Sequence, residues 1–382
     1  MEILLRSSWQ TVNIGDIAHT PGLLTLLEKY IPEATVTVWA SGDITPEVLN
    51  MEKKRFPHVR FVKGDIGDRE VSDAIKRADF FLHGSGPSLV GAREMRMFTE
   101  NSDKGCGVFG ITYRHDSKAE ELLKKCLFVY FRDSASVDKA RQDIPDYGNF
   151  EFGPDAAFAT DLRDDEKAVG FLKQNGLHEK EFLCCIPRLR NTPYWQLGRA
   201  EYDERKDAEN IRLAAHDHAY LIKAITDVVS QTGKKVLLCP EDMTQIRVGR
   251  EQIYEKLPEK IKKNVVLRDN FWLPDEAISV YIRSLGLFGN EMHSPIMCVG
   301  HDIPAVVVRW KQQTTKGIMW KDIGLGDWLF DSDEEFSHDV FSATVLGLVT
   351  EHEKCVEKAR QANAYVQTLY KKMTDELKNS IQ

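Results

Sequence analysis

The sequence predicts an α/β fold of two doubly wound parallel-sheet domains facing one another across a cleft. Short apolar runs alternate with amphipathic segments of helical length through both halves of the 382 residues. That pattern builds right-handed βαβ units whose helices cover both faces of a parallel sheet. The alternation stops around Phe152–Glu166, where acidic and turn residues dominate, and then resumes. The length also suits two domains. The expected division is 1–160 for an N-terminal α/β domain, 161–335 for a C-terminal one, and 336–382 for a helical segment bracing both.

In chain order, Ile3–Arg6 is a strand and Gly22–Ile31 carries leucines at helical spacing. Thr35–Trp39, Arg60–Val62, Asp79–Leu82, Gly107–Ile111 and Leu127–Phe131 follow as strands. Helical patterns lie between them near Pro46–Lys53, Glu70–Lys76, Leu89–Phe98, Ser117–Lys125 and Ser136–Gln142. The second half gives strands at Phe182–Pro187, Val236–Cys239, Val265–Leu267, Leu285–Phe288 and Ile303–Val308. Its helices are expected at Asp207–Thr232, Gln245–Lys256 and Asp275–Arg283. Apolar residues at 355, 356, 359, 362, 366, 369, 370, 373 and 377 line one face of a long last helix.

With 42% apolar residues and a net charge of −8, the composition argues against general binding to nucleic acid or to an anionic membrane. The seven cysteines are odd in number, form no CxxC pair and lie mostly in apolar runs. They read as reduced core thiols, neither a disulfide frame nor a zinc site. With no signal-type segment and no run approaching a membrane span, the expectation is a cytoplasmic protein.

In doubly wound sheets, ligands bind at the carboxyl ends of the strands. The stretch after Phe288 carries the most chemistry. Gly289-Asn290 breaks the strand, Glu291-Met292-His293 follows, and Ser294-Pro295 is expected to open a helix with Ser294 as N-cap and Pro295 at its first position. The N–H groups there would favour phosphate or carboxylate. His293 either caps the turn or meets a ligand. Arg188 and Arg190 follow another buried strand and project to one side if it continues. A planar guanidinium at that place is a natural anion clamp.

Earlier turns allow two readings each. Asn13, Gly15, Asp16 and His19 lead into the first helix, with Asp16 either a base or an Asx-turn residue. His83-Gly84-Ser85-Gly86-Pro87-Ser88 is a glycine-rich turn without GxGxxG spacing or a Walker lysine. Arg114-His115-Asp116 and Arg132-Asp133 put an arginine by an aspartate at strand ends, giving a local ion pair or a cation for a ligand. His216-Asp217-His218 resembles a metal motif, but residues two apart on a helix diverge, so no metal is expected.

An ordered set of these motifs resembles the polysaccharide pyruvyl transferase family from residue 7 to about 330. It comprises Asn13-Ile-Gly-Asp16, His83-Gly-Ser-Gly-Pro-Ser-Leu89, Phe131-Arg-Asp-Ser-Ala-Ser136 and Gly153-Pro-Asp-Ala-Ala-Phe158. The family's arginine falls on Arg188, with Arg190 as alternative, its histidine on His293 and its later lysine on Lys316. Where the family writes Arg-Leu-His, this chain has Glu291-Met292-His293, an anion in place of a cation.

The resemblance implies a fold like that of two-domain GT-B glycosyltransferases and transfer of pyruvate from phosphoenolpyruvate, as co-substrate, to two sugar hydroxyls. No further cofactor is implied. His293 would do acid–base work, and Asp16 would hold or deprotonate the acceptor. Arg188, Arg190, Lys316 and the helix start at Ser294 would hold the anionic donor. Asn13, Gly15, His19, Gly84, Ser85, Gly86, Arg132 and Glu291 would serve the acceptor or the cleft. The partners would be a small-molecule donor and a free or lipid-linked saccharide. A nucleotide-sugar glycosyltransferase and a non-catalytic saccharide-binding protein on the same fold remain alternatives. The oligomeric state is left open.

Overall fold

Fifteen to twenty-nine residues separate all but one pair of successive strands, enough for one crossover each, and in the computed structural model the strand pairs among the described residues are all parallel. The structure describes residues 1–7, 9–334 and 336–381. Contacts divide the chain into two units. Unit 1 comprises Met1–Thr11, Gly15–Leu162 and Ala364–Gln382, and unit 2 comprises Val12–Ile14 and Arg163–Asn363. One change of unit falls between Leu162 and Arg163. The helices after residue 335 do not form a unit of their own.

Unit 1 is built on β1 (Glu2–Arg6), β2 (Thr35–Trp39), β3 (Arg60–Val62), β4 (Phe80–His83), β5 (Gly105–Ile111), β6 (Phe128–Phe131) and β7 (Phe150–Phe152). Among the described residues they form one sheet in the order β3-β2-β1-β4-β5-β6-β7. The order reverses between β1 and β4, the topological switch point of a doubly wound sheet. Its strands are mostly apolar because helices cover both faces, with charged residues such as Glu2, Arg60 and Glu151 in the outer strands or at strand ends. Phe80, Phe81, Phe98 and Phe128 are fully buried, each stabilising by roughly 1.5–3 kcal/mol through removal from water.

Helix starts follow local chemistry. Thr45 caps Pro46–Arg55, with the proline in the first turn. Asp116 caps Ser117–Leu123, and Asp133 caps Ser134–Asp143. These two aspartates therefore serve backbone N–H groups; a local ion pair with the preceding arginine was one of the two readings open for each.

Unit 2 repeats the plan with β8 (Phe182–Ile186), β9 (Lys235–Leu238), β10 (Val265–Leu267), β11 (Gly286–Gly289), β12 (Ala305–Arg309) and β13 (Leu329–Asp331). Their order is β10-β9-β8-β11-β12-β13, so the switch point lies between β8 and β11. Gly289 ends β11 at φ +154°, and a Cβ there would stand 2.2 Å from the Ile186 carbonyl oxygen. Only glycine lets the two strands approach this closely.

The helix expected over Gln245–Lys256 is interrupted. An α turn, Gln245–Val248, passes into a π turn, Gly249–Ile253, and a 3₁₀ turn, Tyr254–Lys256. The last helix, His352–Ile381, buries Ala359, Ala362, Val366, Tyr370, Met373 and Leu377, matching the apolar stripe. Asn363 binds the Gly300 carbonyl and Asp302 within unit 2. Tyr370 donates to the Asp155 carbonyl within unit 1.

Candidate functional site

The switch point of unit 2 collects polar groups from three strand ends. Arg188 lies two residues beyond β8, and Glu291 and His293 follow β11. Glu241 and Asp242 follow β9. Arg188 donates from a terminal guanidinium nitrogen to Glu291 Oε2 at 2.9 Å, with its side chain 21% exposed and that of Glu291 3%. Gln245 Nε2 donates to the other Glu291 oxygen. Gln245 Oε1 in turn accepts the backbone N–H groups of Glu241 and Asp242 at 2.8 and 3.1 Å.

Glu241 joins this array to the histidine. Its Oε1 lies 3.2 Å from His293 Nδ1, and its Oε2 accepts the Ser294 N–H at 2.6 Å. Asp242 Oδ1 accepts from the Thr244 N–H and hydroxyl at 2.9 and 2.7 Å. Its Oδ2 is buried with no hydrogen-bond partner among the described residues. The segment Val12–Ile14 is held to the same turn. Ile14 N donates to Glu241 O at 2.9 Å, Met243 N donates to Val12 O at 3.0 Å, and Asn13 forms an antiparallel bridge with Asp242. Lys316, buried, opens the 3₁₀ turn Lys316–Ile318.

Burial and crowding set the protonation states. Burial, reinforced by the Glu241 charge, pushes Glu291 up to about 7, while Arg188 and Lys316 pull the other way. Burial lifts Asp242 to about 6 against its bonds from Thr244. Burial works against the Arg188 charge, but Glu291, Tyr194 and Glu241 outweigh it and hold its pKa above the ordinary value. The array can thus offer a cation to an anion and exchange protons near neutral pH.

Several expected residues sit differently. The helix His293–Val299 starts at His293, with Met292 before it, so Ser294 is not the N-cap and Pro295 is its third residue. The Ser294 N–H proposed for a phosphate is given to Glu241, and the Ser294 hydroxyl accepts from Tyr281 at 3.2 Å. Arg190 does not continue a strand beside Arg188, because β8 ends at Ile186. It is buried in a two-bond pair with Asp217 (2.7 and 3.0 Å), reaches Asp333, and stacks over Trp310 at 5.5 Å. His216 turns to Asp217 at 2.9 Å, whereas His218 turns to the Ala214 carbonyl at 2.6 Å.

In unit 1 the polar turns converge on Asp155. Arg132 donates to Asp155 Oδ2 at 2.7 Å and to the Thr112 hydroxyl at 2.8 Å, and His19 Nε2 lies 3.2 Å from Asp155 Oδ1. All three side chains, Arg132, Asp155 and His19, are buried. Ser85 Oγ accepts from Ala156 N at 2.9 Å and donates to Phe109 O at 3.2 Å. Gly84 N donates to the Arg6 carbonyl, and Gly86 bridges to the end of β5. His83 Nε2 accepts the Gly91 N–H at 2.9 Å, and burial pushes this histidine down to about 3, so it stays neutral. Asp16 is half-buried and accepts from Gln10 Nε2. Gly15 precedes it, and both, with His19, lie inside the helix Ile14–Tyr30, which starts at Ile14 and not near Gly22 as expected.

Arg188, Glu291 and His293 therefore meet in one array, and His19 and Arg132 meet in another. Sequence reasoning missed Glu241, Asp242 and Gln245. The available signal was Pro240-Glu241-Asp242 directly after a buried strand, the same position that singled out Arg188.

A family model described as "Polysaccharide pyruvyl transferase" matches residues 13–312. No curated protein matches the sequence. Among solved structures, the chain is similar to UDP-GlcNAc 2-epimerase from Neisseria meningitidis bound to UDP-GlcNAc. That match has a TM-score of 0.58 and 10% identity, over 99% of this chain and 100% of that one. A UDP-glucosyltransferase from Polygonum tinctorium gives 0.55 at 10% identity, over 100% and 98%. Anabaena Alr3699/HepE in complex with UDP and glucose gives 0.55 at 11%, over 99% of each chain. At these identities the likeness is one of fold, the α/β class with two parallel sheets to which GT-B enzymes belong. No helix among the described residues is long and apolar enough to cross a membrane.

Proposed function

The chain belongs to the polysaccharide pyruvyl transferase family, and on that premise we propose that it transfers pyruvate from phosphoenolpyruvate to two hydroxyls of a sugar, closing a ketal in cell-surface or exopolysaccharide synthesis. The observation that supports this reading is the convergence of Arg188, Glu291 and His293, through Glu241, at the switch point of unit 2. The reading includes a cytoplasmic location and a free or lipid-linked saccharide acceptor.

In the reaction, the methylene carbon of the enol takes a proton and the first hydroxyl adds to the neighbouring carbon, giving up its own. The second hydroxyl then displaces phosphate and loses its proton. One of the two released protons balances the new methyl group, and the other leaves with the phosphate. Arg188 and Lys316 hold the donor's phosphate and carboxylate. His293 delivers the proton, with Glu241 fixing the ring's tautomer and stabilising the imidazolium. Asp16 holds or deprotonates an acceptor hydroxyl. Asn13, Gly15 and the Gly84–Gly86 backbone contribute to acceptor recognition, and His19 and Arg132 shape that region through Asp155.

Glu291 favours a second reading, a glycosyltransferase with a nucleotide-sugar donor, because it sets an anion where the family has a cation. Phosphate release from phosphoenolpyruvate, followed with a panel of free and lipid-linked hexoses for wild type and His293→Ala, separates the two. Release that needs both acceptor and His293 supports pyruvyl transfer. No release, together with a thermal shift by UDP-sugars alone, supports the second reading. Saccharide binding without turnover of any donor would leave a non-catalytic binding protein.

A further inference from the structure

A cavity of about 690 Å³ opens in unit 1 beside the carboxyl ends of β4 and β5, between the helices Ala92–Asn101 and Ser117–Leu123. Its size is that of a small-molecule pocket, and the carboxyl edge of a parallel sheet is where such pockets carry ligands. The floor is apolar, with Leu89, Met97 and Leu123 among its lining. Its rim is basic. Arg93 and Arg96 enter from one face of the first helix, Arg114 from the turn after β5, and Lys118 from the start of the second helix.

Arg93 has Asp65 as a partner outside the cavity. Arg96, Arg114 and Lys118 make no salt bridge among the described residues, although the chain carries 59 acidic against 51 basic residues. The opposing acids in the lining are Glu100 and Asp116. Asp116 Oδ1 is occupied by the N–H groups of Lys118 and Ala119. His115 turns to Glu120 and Asp143. Like charges from three segments thus surround one concavity and repel one another unless an anion lies between them. Two guanidinium forks suit phosphate oxygens, and the apolar floor suits a sugar face or an attached chain.

We propose that this cavity binds a phosphate- or diphosphate-bearing saccharide, and that Arg96 and Arg114 take its phosphate. The inference deepens the pyruvyl-transfer reading by naming the chemistry of the acceptor, and it rests on that reading for the word acceptor.

The test is calorimetry on the full chain with glucose 1-phosphate, a farnesyl diphosphate-linked glucose and glucose. Wild type is compared with Arg96→Glu/Arg114→Glu and Arg96→Lys/Arg114→Lys. Both positions are exposed, and melting temperatures confirm that each variant folds. The expected result is binding of at least one phosphorylated probe, weakened tenfold or more by the glutamates and by less with the lysines, and little binding of glucose. Binding of the farnesyl probe alone assigns the site to a diphosphate carrying a chain, whereas binding of both assigns it to the sugar phosphate. Equal affinity in the glutamate variant, binding of glucose as tight as of its phosphate, or no binding of either phosphorylated probe overturns the proposal. Phosphate release from phosphoenolpyruvate is followed in parallel. If release fails with every acceptor while the arginine-dependent binding persists, the pyruvyl reading falls and the anion site stands.

Discussion

Arg188 and Glu291 meet at 2.9 Å from the ends of two adjacent strands, β8 and β11. The chain therefore places an internal carboxylate against the arginine proposed to hold the donor. A buried charge pair is weak evidence for stability but gives its members defined positions. Here it ties the proposed anion clamp to a group whose pKa is raised to about 7.

Removing that clamp is expected to act on donor binding. Arg188→Ala raises the KM for phosphoenolpyruvate at least tenfold in phosphate-release kinetics. Lysine at 188 restores charge but not the fork, and recovers only part of the loss. An unchanged KM in both variants would remove Arg188 from the donor site.

Glu291 sets a pH dependence. Its pKa in the folded protein, about 7, stands above the ordinary value of 4.5. The folded state therefore binds the proton more tightly than the unfolded chain. The stability this supplies is complete below about 4.5 and is lost as pH rises towards 7. Relative to Glu291→Gln, wild type should lose stability over that window with a slope of at most about 1.4 kcal/mol per pH unit for one proton. Asp242, lifted from 3.8 to about 6, gives a slope of the same sign between those values in both proteins, so it cancels in the comparison. Urea titrations at several pH values give the comparison, and parallel curves for the two proteins would contradict it.

The Glu241–His293 pair predicts a graded loss of turnover. His293→Ala should lower kcat by about 10²–10⁴-fold, the range for removing a general acid or base. Glu241→Gln should lower it less and shift the pH–rate profile, because the ring keeps a neighbour but loses its carboxylate. A kcat loss for Glu241→Gln equal to that of His293→Ala, with an unshifted profile, would argue that Glu241 does more than position the ring.

Arg132 and Arg190 are expected to act through stability. Arg132→Ala leaves Asp155 buried without its guanidinium partner, and breaking such a pair costs about 3–5 kcal/mol. Arg190→Ala strands Asp217 in the same way. Denaturant unfolding measures both, and the Arg190 variant should keep the wild-type KM for the donor. A large KM change without a change in stability would return Arg190 to the anion site.

Much of the fold was legible because strands buried on both faces must be continuously apolar. β7 and β13, three residues each, are too short to show a period. The start of the helix at His293 was misplaced because Pro295 was read as the first helical residue, while a proline is equally tolerated two positions further in, where the N–H needs no helical partner. Arg188 and Arg190 were indistinguishable in sequence. What separates them is an acid on a helix 27 residues after Arg190, Asp217, which captures one guanidinium and leaves the other to Glu291. Glu241 escaped notice because its role arises only when the end of β9 is brought to the end of β11. The motifs Arg132-Asp133 and Pro154-Asp155 were each recognised, but their meeting in one buried pair is a tertiary fact.

The last helix has a bearing on how the protein is made. Unit 2 ends at Asn363, but unit 1 takes in the residues from Ala364 onward, including the buried Tyr370, Met373 and Leu377. Although the ribosome makes most of unit 1 first, that unit cannot be completed until the segment from Ala364 onward emerges. Unit 2, begun later, has its whole sequence available sooner. Vectorial synthesis and completion of the two units therefore run in opposite orders, and the nascent unit 1 keeps part of its core uncovered until the segment after Asn363 has emerged.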